Sequence, residues 1–488
     1  VETREHIWVG GQFIPSTGTG IIEVISPYTE QVIAQVPDGT NADIDAAVAA
    51  AREAFDNGPW PHLTPAERAG YLSALSAEIV GNMDHWAGVI SQEMGSPFGF
   101  SQMGQVFAST MVLDYYAGLA ASYNFEEVRN GVMGPALVRR EPVGVAAAIV
   151  PWNVPLFTTV LKLGPAFLAG CTIVLKPSPE TPLDAYLLAE ACEKIGLPKG
   201  VLNIVVAGRE TGAYLVSHPG IDKVGFTGST AAGKQIAAAA GAQLKRVTLE
   251  LGGKSASIFL PDADLSIAVP QALGSGFMNN GQACVAQTRI LVSRDRYSET
   301  VDALSEFTAA QVVGDPMDPA TQIGPLVASR QRDRVENYIA IAQKEGGKVA
   351  VGGGRPSGQS TGWFVEPTLI VDVEAKHTIA QEEVFGPVVS VLAYDTTEDA
   401  IRIANDSDFG LSGSVFTADV AVGIDVARKV RTGTYTVNSF ALEFAAPFGG
   451  FKQSGLGREM GPEGLAAYLE SKSISLPAGT VVPGVPIV

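Results

Sequence analysis

The chain holds three cysteines, and one of them stands apart from the other two. Cys171 and Cys192 lie inside apolar stretches, where a free thiol behaves as a small, inert core residue. Cys284 follows glycine and small residues in FMNNGQACVAQTR, a setting in which a thiolate could attack a carbonyl carbon. Covalent capture of that kind divides a carbonyl oxidation into two easier steps, loss of hydride and hydrolysis of a thioester. A second group is Glu250, which ends the apolar strand of VTLELGGKSA beside a glycine pair. Burial there would raise the carboxyl pKa toward the range of a general base, although a structural ion pair accounts for a lone Glu equally well. Asn153, in the proline-bracketed loop of IVPWNVP, carries an amide able to donate to a developing oxyanion or simply to satisfy its own loop. Finally, KVGFTGSTAAGKQIA runs from a strand through a turn with Gly228, Ser229, Thr230 and Gly233 into a helix. Amides at such a helix start suit a pyrophosphate. The spacing G-x-x-x-x-G lacks both the fuller dinucleotide fingerprint and the Lys-Ser/Thr of a P-loop, so an ordinary tight turn fits it as well.

The elements that must position these residues follow a βαβ rhythm. From about residue 145 the chain reads VAAAIV, a helix over 155–169, TIVLK and a helix at DAYLLAEACEKIG. It continues with VLNIVV, KVGFTG, a helix at AAGKQIAAAAGA and the strand RVTLEL, which predicts a mostly parallel sheet with helices on both faces. Ahead of it, residues 41–122 read as helices, the first of which, NADIDAAVAAAREAFD, opens on an Asn cap. After about 255 the rhythm restarts with SASIFL, helical stretches at 297–312 and 329–345, and strands near 368 and 388, as expected of a second α/β domain. The piece VGGGRPSGQSTG (351–362) reads as an exposed loop.

With 488 residues, 46% hydrophobic and 17% charged, the chain suits two or more packed domains and no disordered class. A net charge of -18 argues against nucleic acid and anionic membranes as partners. An odd cysteine count and a start, VETREHIWVGG, with no basic segment before an apolar run make the cytoplasm the expected location. The uncharged run 142–161 spans about the length of a membrane helix, but Pro151, Asn153 and Pro155 break it, so it reads as strand, loop and helix start.

Together the segments PWNVP, KPSPETP, GFTGST, LELGGKS, GQACVAQTR, EEVFGPV and PFGGFKQSGLGRE resemble the aldehyde dehydrogenase superfamily, in that family's order and over most of the chain. The resemblance implies an NAD(P)-dependent oxidation of an aldehyde to its acid. It makes Cys284 the nucleophile, Glu250 the base that activates water against the thioester, and Asn153 with the Cys284 N–H the oxyanion hole. Lys162 and Glu459 match positions of a proton relay. The cofactor would lie along Val150, Pro151, Trp152, Lys176, Gly208, Gly212, Phe226, Gly228, Ser229, Gly252, Glu383 and Phe385. Within that set Lys176 holds the adenine ribose, Ser229 the pyrophosphate and Glu383 the nicotinamide ribose. One departure concerns the cofactor: Pro179 occupies the place where the family carries a glutamate that repels a 2'-phosphate, and Glu180 stands one position later. NAD is therefore expected, with NADP tolerated.

The same resemblance implies an α/β aldehyde dehydrogenase-like fold. It comprises a Rossmann-type dinucleotide-binding domain (1–122 and 142–252), a catalytic domain (253–453), and a small β oligomerisation arm with the C-terminal tail (123–141 and 454–488). YNFEEVRNGVMGPALVRRE and SKSISLPA supply the arm strands, so a homodimer or homotetramer is expected. Met111, Val154, Phe157, Leu161, Val285 and Phe444 line the aldehyde pocket, which suits a hydrophobic aldehyde, while Glu443 would favour a polar or cationic one. The rival readings are a coenzyme-A-acylating dehydrogenase, against which Glu250 speaks, and a silent structural protein of the same fold.

Overall fold

Alternating apolar runs and helices build two separate parallel sheets in the computed structural model, which describes residues 1–488. The first sheet has eight strands. Its central parallel strands lie side by side as Arg246–Glu250, Lys223–Thr227, Val145–Ile149, Thr172–Lys176 and Leu202–Ile204. The chain therefore winds outward in one direction from Val145–Ile149 and then returns to add the other two strands on its opposite flank. This reversal opens a crevice beyond the carboxyl ends of Val145–Ile149 and Lys223–Thr227, where open α/β sheets hold their ligands. Both PWN and GST, the loops singled out above, leave from those two ends.

The edges of this sheet are antiparallel and were not visible in the periodicity. His6–Val9 and Gln12–Pro15 form a hairpin turned by Gly10 and Gly11, both at positive φ, and join at one side. Gly455–Leu456 pairs with Arg246–Glu250 at the other, so the segment assigned above to the arm and tail also supplies a strand to the first sheet. A strand of two residues carries no alternation to read.

The second sheet has seven strands, centred on Ala256–Phe259 and Arg289–Ser293, and its helices include Ser329–Lys344. Glu126–Gly131, Gly134–Pro142 and Leu469–Ser475 make a separate three-stranded antiparallel sheet.

Helix Asn41–Asp56 is capped by Thr40 and not by Asn41. The Thr40 hydroxyl accepts from Asp43 N at 3.2 Å, and the Asp43 carboxylate accepts from Thr40 N at 2.9 Å. This reciprocal box satisfies two helix-end groups at once, which is more than an Asn cap one residue later offers. Every residue of helix Pro155–Ala169 is buried within the largest apolar core, which explains the uncharged run 142–161 as a buried strand, loop and helix. No helix is long and apolar enough to cross a membrane. The one charge in that helix, Lys162, is fully buried and must have partners there.

Candidate active site

A cleft lies between the two sheets. Pro151, Trp152, Asn153, Gly228 and Ser229 line one wall, and Cys284, Gln331, Arg334, Glu383 and Phe385 the other. The loop carrying Cys284 has an unusual backbone: Asn279, Asn280 and Gly281 are consecutive left-handed residues with φ of 54°, 61° and 72°. Such residues persist only where their surroundings hold them. Asn280 donates to the carbonyls of Gly95 and Pro325, both at 2.9 Å, and accepts from Gly324 N at 2.7 Å. Asn279 donates to the Asn153 carbonyl at 2.7 Å, and Asn153 Nδ2 donates to the Gln282 carbonyl at 2.8 Å. The PWN loop and the cysteine loop are thus tied together by both asparagines, with one Asn153 amide hydrogen left over.

At Gly281 a Cβ would fall 2.1 Å from the Gly386 carbonyl carbon. Gly281→Ala is therefore expected to destabilise the fold by more than about 2 kcal/mol, through left-handed strain plus a backbone collision. A urea midpoint within error of wild type would contradict this.

Cys284 is partly buried, whereas Cys171 and Cys192 are fully enclosed, as expected of inert core thiols. Burial, and then the carboxylates of Glu383 and Glu250, push the Cys284 thiol up to about 12, while the N–H groups of Cys284 and Val285 act in the opposite sense. Glu250 ends its strand beside Thr227 and is buried, and neither carboxyl oxygen has a hydrogen-bond partner. Desolvation, with the Glu459 charge added, drives its pKa well above the usual carboxylate range, and Lys162 counters only part of this. Lys162 Nζ donates to Glu459 Oε1 at 2.9 Å and to Thr227 Oγ1 at 2.6 Å. Those partners account for a lysine inside an apolar helix, and the second oxygen of Glu459 remains unpaired.

Of the residues expected along the cofactor, Pro151, Trp152, Gly228, Ser229, Gly252, Glu383 and Phe385 line the cleft, and Val150, Lys176, Gly208, Gly212 and Phe226 lie outside its lining. Ser229 caps helix Thr230–Gly241, accepting from Ala232 N at 3.3 Å, so that helix presents its free amides to the cleft. A Cβ at Gly228 would sit 2.5 Å from the tip of the Phe226 ring, so a side chain there requires that ring to move. Lys176 lies buried at its strand end, donating to Pro177 O at 2.9 Å and Ala207 O at 2.8 Å, with burial lowering its pKa to about 8. Gly212 packs on its methylenes, Val150 N donates to its carbonyl, and Gly208 precedes the adjacent helix Arg209–Ser217. Glu383 Oε1 accepts from Gly253 N at 2.8 Å, Gly252 lies against the same carboxyl, and burial raises its pKa to about 7. Trp152 and Phe385 meet edge to face at 5.4 Å. Glycines where side chains would clash, a capped helix start and a carboxyl on the far wall together fit an extended phosphorylated dinucleotide.

Phe157, Leu161 and Val285 belong to the largest apolar core, against which Val154, Cys284 and Phe444 also pack, with the Phe157 and Phe444 rings 6.2 Å apart. Met111 does not join it. Helix Ala108–Leu119 buries Ser109, Thr110, Val112, Leu113 and Tyr116, and Met111 is 43% exposed on it. Glu443 is exposed and accepts from Ala445 N at 3.1 Å, so it braces its own turn. The sequence reading missed Thr227, Gln331 and Arg334. Arg334 donates to the carbonyls of Glu383 and Val384, and its only signal was a position on the 329–345 helix.

A sheet wound as a dinucleotide-binding half, facing a second α/β unit across a cleft that holds a cysteine, defines an α/β oxidoreductase. Residues 13–474 match the model of the aldehyde dehydrogenase family. Geranial dehydrogenase of Castellaniella defragrans is 45% identical over 474 residues, 97% of this chain and 99% of that one. The crystal structure of a Mycobacterium tuberculosis aldehyde dehydrogenase complexed with NAD+ is 49% identical, covers 99% of this chain and 100% of its own, and superposes with a TM-score of 0.97. That of a mutant aldehyde dehydrogenase C from Pseudomonas syringae, complexed with NAD+ and octanal, is 39% identical over 98% of each chain, with a TM-score of 0.95. The chain belongs to the aldehyde dehydrogenase family, and its class is that of the NAD(P)-dependent aldehyde dehydrogenases.

Proposed function

We propose that the protein oxidises an apolar aliphatic or aromatic aldehyde to its carboxylic acid through a thioester on Cys284. The observation that carries this reading is a partly buried thiol lining the cleft with, near enough to raise its pKa, a buried carboxyl, Glu250, that has no partner of its own. Such a carboxyl is costly to keep unless a substrate or water uses it. The Cys284 thiol releases its proton to water and its sulfur adds to the aldehyde carbon, while the free amide hydrogen of Asn153 and the Cys284 N–H receive the oxyanion. Ser229, Lys176 and Glu383 would hold NAD+, which would supply the hydride acceptor. Glu250 takes a proton from water as that water attacks the thioester, and Lys162, Thr227 and Glu459 lead the proton away. The first sheet serves as the cofactor domain and the second as the catalytic domain. The three-stranded sheet is an arm pairing between copies in a homodimer or homotetramer.

The substrate class rests on the apolar core against which Cys284 packs and on Glu443 being turned to its own loop; relatives named for geranial and bound to octanal agree with it. Absorbance at 340 nm tests the reading, with NAD+ and octanal, a branched enal or benzaldehyde, in the absence of coenzyme A. Cofactor reduction with release of free acid is expected, and failure across that panel would overturn it. Asn153→Ala is expected to lower kcat about 10²- to 10³-fold, the usual cost of one oxyanion donor. An unchanged kcat would remove Asn153 from the hole.

Hydrolysis needs Glu250 ionised, and its pKa is raised, so the deacylation rate is expected to climb with pH through the raised Glu250 pKa and level off above it. A rate that falls with rising pH over the same range would contradict the role of Glu250.

A further inference from the structure

One ion pair joins the two sides of the cleft at a place the chemistry does not need. Glu180 Oε1 accepts from Arg330 Nη2, and Glu180 Oε2 accepts from Ser178 Oγ. Ser178 and Glu180 belong to the loop directly after Lys176, at the carboxyl end of a strand of the first sheet. Arg330 comes from the other side, in the first turn of helix Ser329–Lys344. Arg334, four residues on, lines the cleft and donates to the Glu383 carbonyl at 2.6 Å. Four helical residues advance about 6 Å and return to the same face. Arg330 therefore stands that far along the rim from the Glu383 end, over the Lys176 end of the crevice. Its side chain is 56% exposed and that of Glu180 26%, so the pair is open to exchange for another anion.

We propose that Arg330 is a specificity residue for the dinucleotide, the counter-ion that lets this crevice take a phosphorylated adenosine ribose. This inference rests on the crevice holding NAD as proposed above. Pro179 offers no carboxylate to the ribose, and the carboxylate of Glu180, one position later, is engaged by Arg330 and Ser178. A 2'-phosphate displaces Glu180 from the guanidinium, and a planar fork suits phosphate better than a single carboxylate oxygen. Buried Lys176 adds a second positive charge beneath it. An unphosphorylated ribose leaves the Arg330–Glu180 pair intact and gains nothing from Arg330.

Isothermal titration of the protein with NAD+ and with NADP+ tests this on wild type, Arg330→Gln, Arg330→Lys and Glu180→Gln. Arg330→Gln is expected to weaken NADP+ about tenfold, Arg330→Lys by less, and Glu180→Gln to tighten it several-fold by freeing the guanidinium. The Kd for NAD+ is expected to stay within about twofold in all three, which also reports an intact fold, and added salt should narrow the differences for NADP+. An Arg330→Gln protein that binds NADP+ as wild type does, or that loses NAD+ and NADP+ by the same factor, overturns the proposal. A wild type that binds neither dinucleotide overturns the reading of the crevice itself, and the role of Arg330 with it.

Discussion

Glu250→Gln is expected to give a protein that reduces about one equivalent of NAD+ per active site and then nearly stops. Glu250 is assigned to thioester hydrolysis, the thiol proton of the acylation step leaving to water, and general-base removal costs about 10²- to 10⁴-fold in the step it serves. Rapid mixing at 340 nm should therefore show a burst of wild-type speed, with steady-state turnover reduced by that factor. The acyl-enzyme should be visible as a mass increase on the intact chain. The variant also reports on stability. The wild-type carboxyl has a raised pKa in the fold, so the folded protein binds the extra proton, and stability is lost as pH rises from the ordinary carboxylate range through the raised value. Glutamine carries no charge to desolvate. At pH 8 the variant is thus expected to melt at or above the wild-type temperature while turning over far more slowly. A variant without a burst would assign Glu250 to acylation, and one with full turnover would make its burial structural.

Much of this site is legible in the sequence. Gly228, Glu250 and Cys284 sit at strand ends and turns, where residue type is dictated locally and therefore leaves a trace in the sequence. The crevice could be anticipated from the βαβ rhythm, since parallel strands bring their carboxyl ends together. What remained hidden depends on residues far apart in the chain. Arg330 and Arg334 are ordinary positions of a charged helix until that helix is laid along the cleft. Lys162 reads as a misplaced charge until Glu459, 297 positions away, and Thr227 are beside it. Helix periodicity likewise says which residues share a face, but not which face turns inward, so the 43% exposure of Met111 on helix Ala108–Leu119 could not be read from the sequence. The edge strands Gly455–Leu456 and His6–Val9 were missed for a different reason: they are short, and sheet edges need little alternation.

Cys284→Ala should abolish aldehyde oxidation, with a loss of at least about 10⁴-fold, because no other thiol lines the cleft to take over covalent capture. The two remaining cysteines are fully buried in the core. Binding of NAD+ should survive, since the cofactor contacts proposed here come from Ser229, Lys176 and Glu383. Loss of both together would point to a damaged loop. The free protein adds a sharper expectation. Its thiol is held up to about 12 by burial and by Glu383 and Glu250, so near neutral pH it is a poor nucleophile. Alkylation of Cys284 by iodoacetamide, followed by mass spectrometry, should be slow at pH 7 and rise about tenfold per pH unit with the thiolate fraction. Glu250→Gln removes one of the two carboxylates that oppose the thiolate, so alkylation of that variant should be faster at every pH above the Glu250 pKa. Equal rates in the two proteins would mean that Glu250 does not act on the sulfur in the free enzyme. Its place in the reaction would then begin only after the thioester has formed.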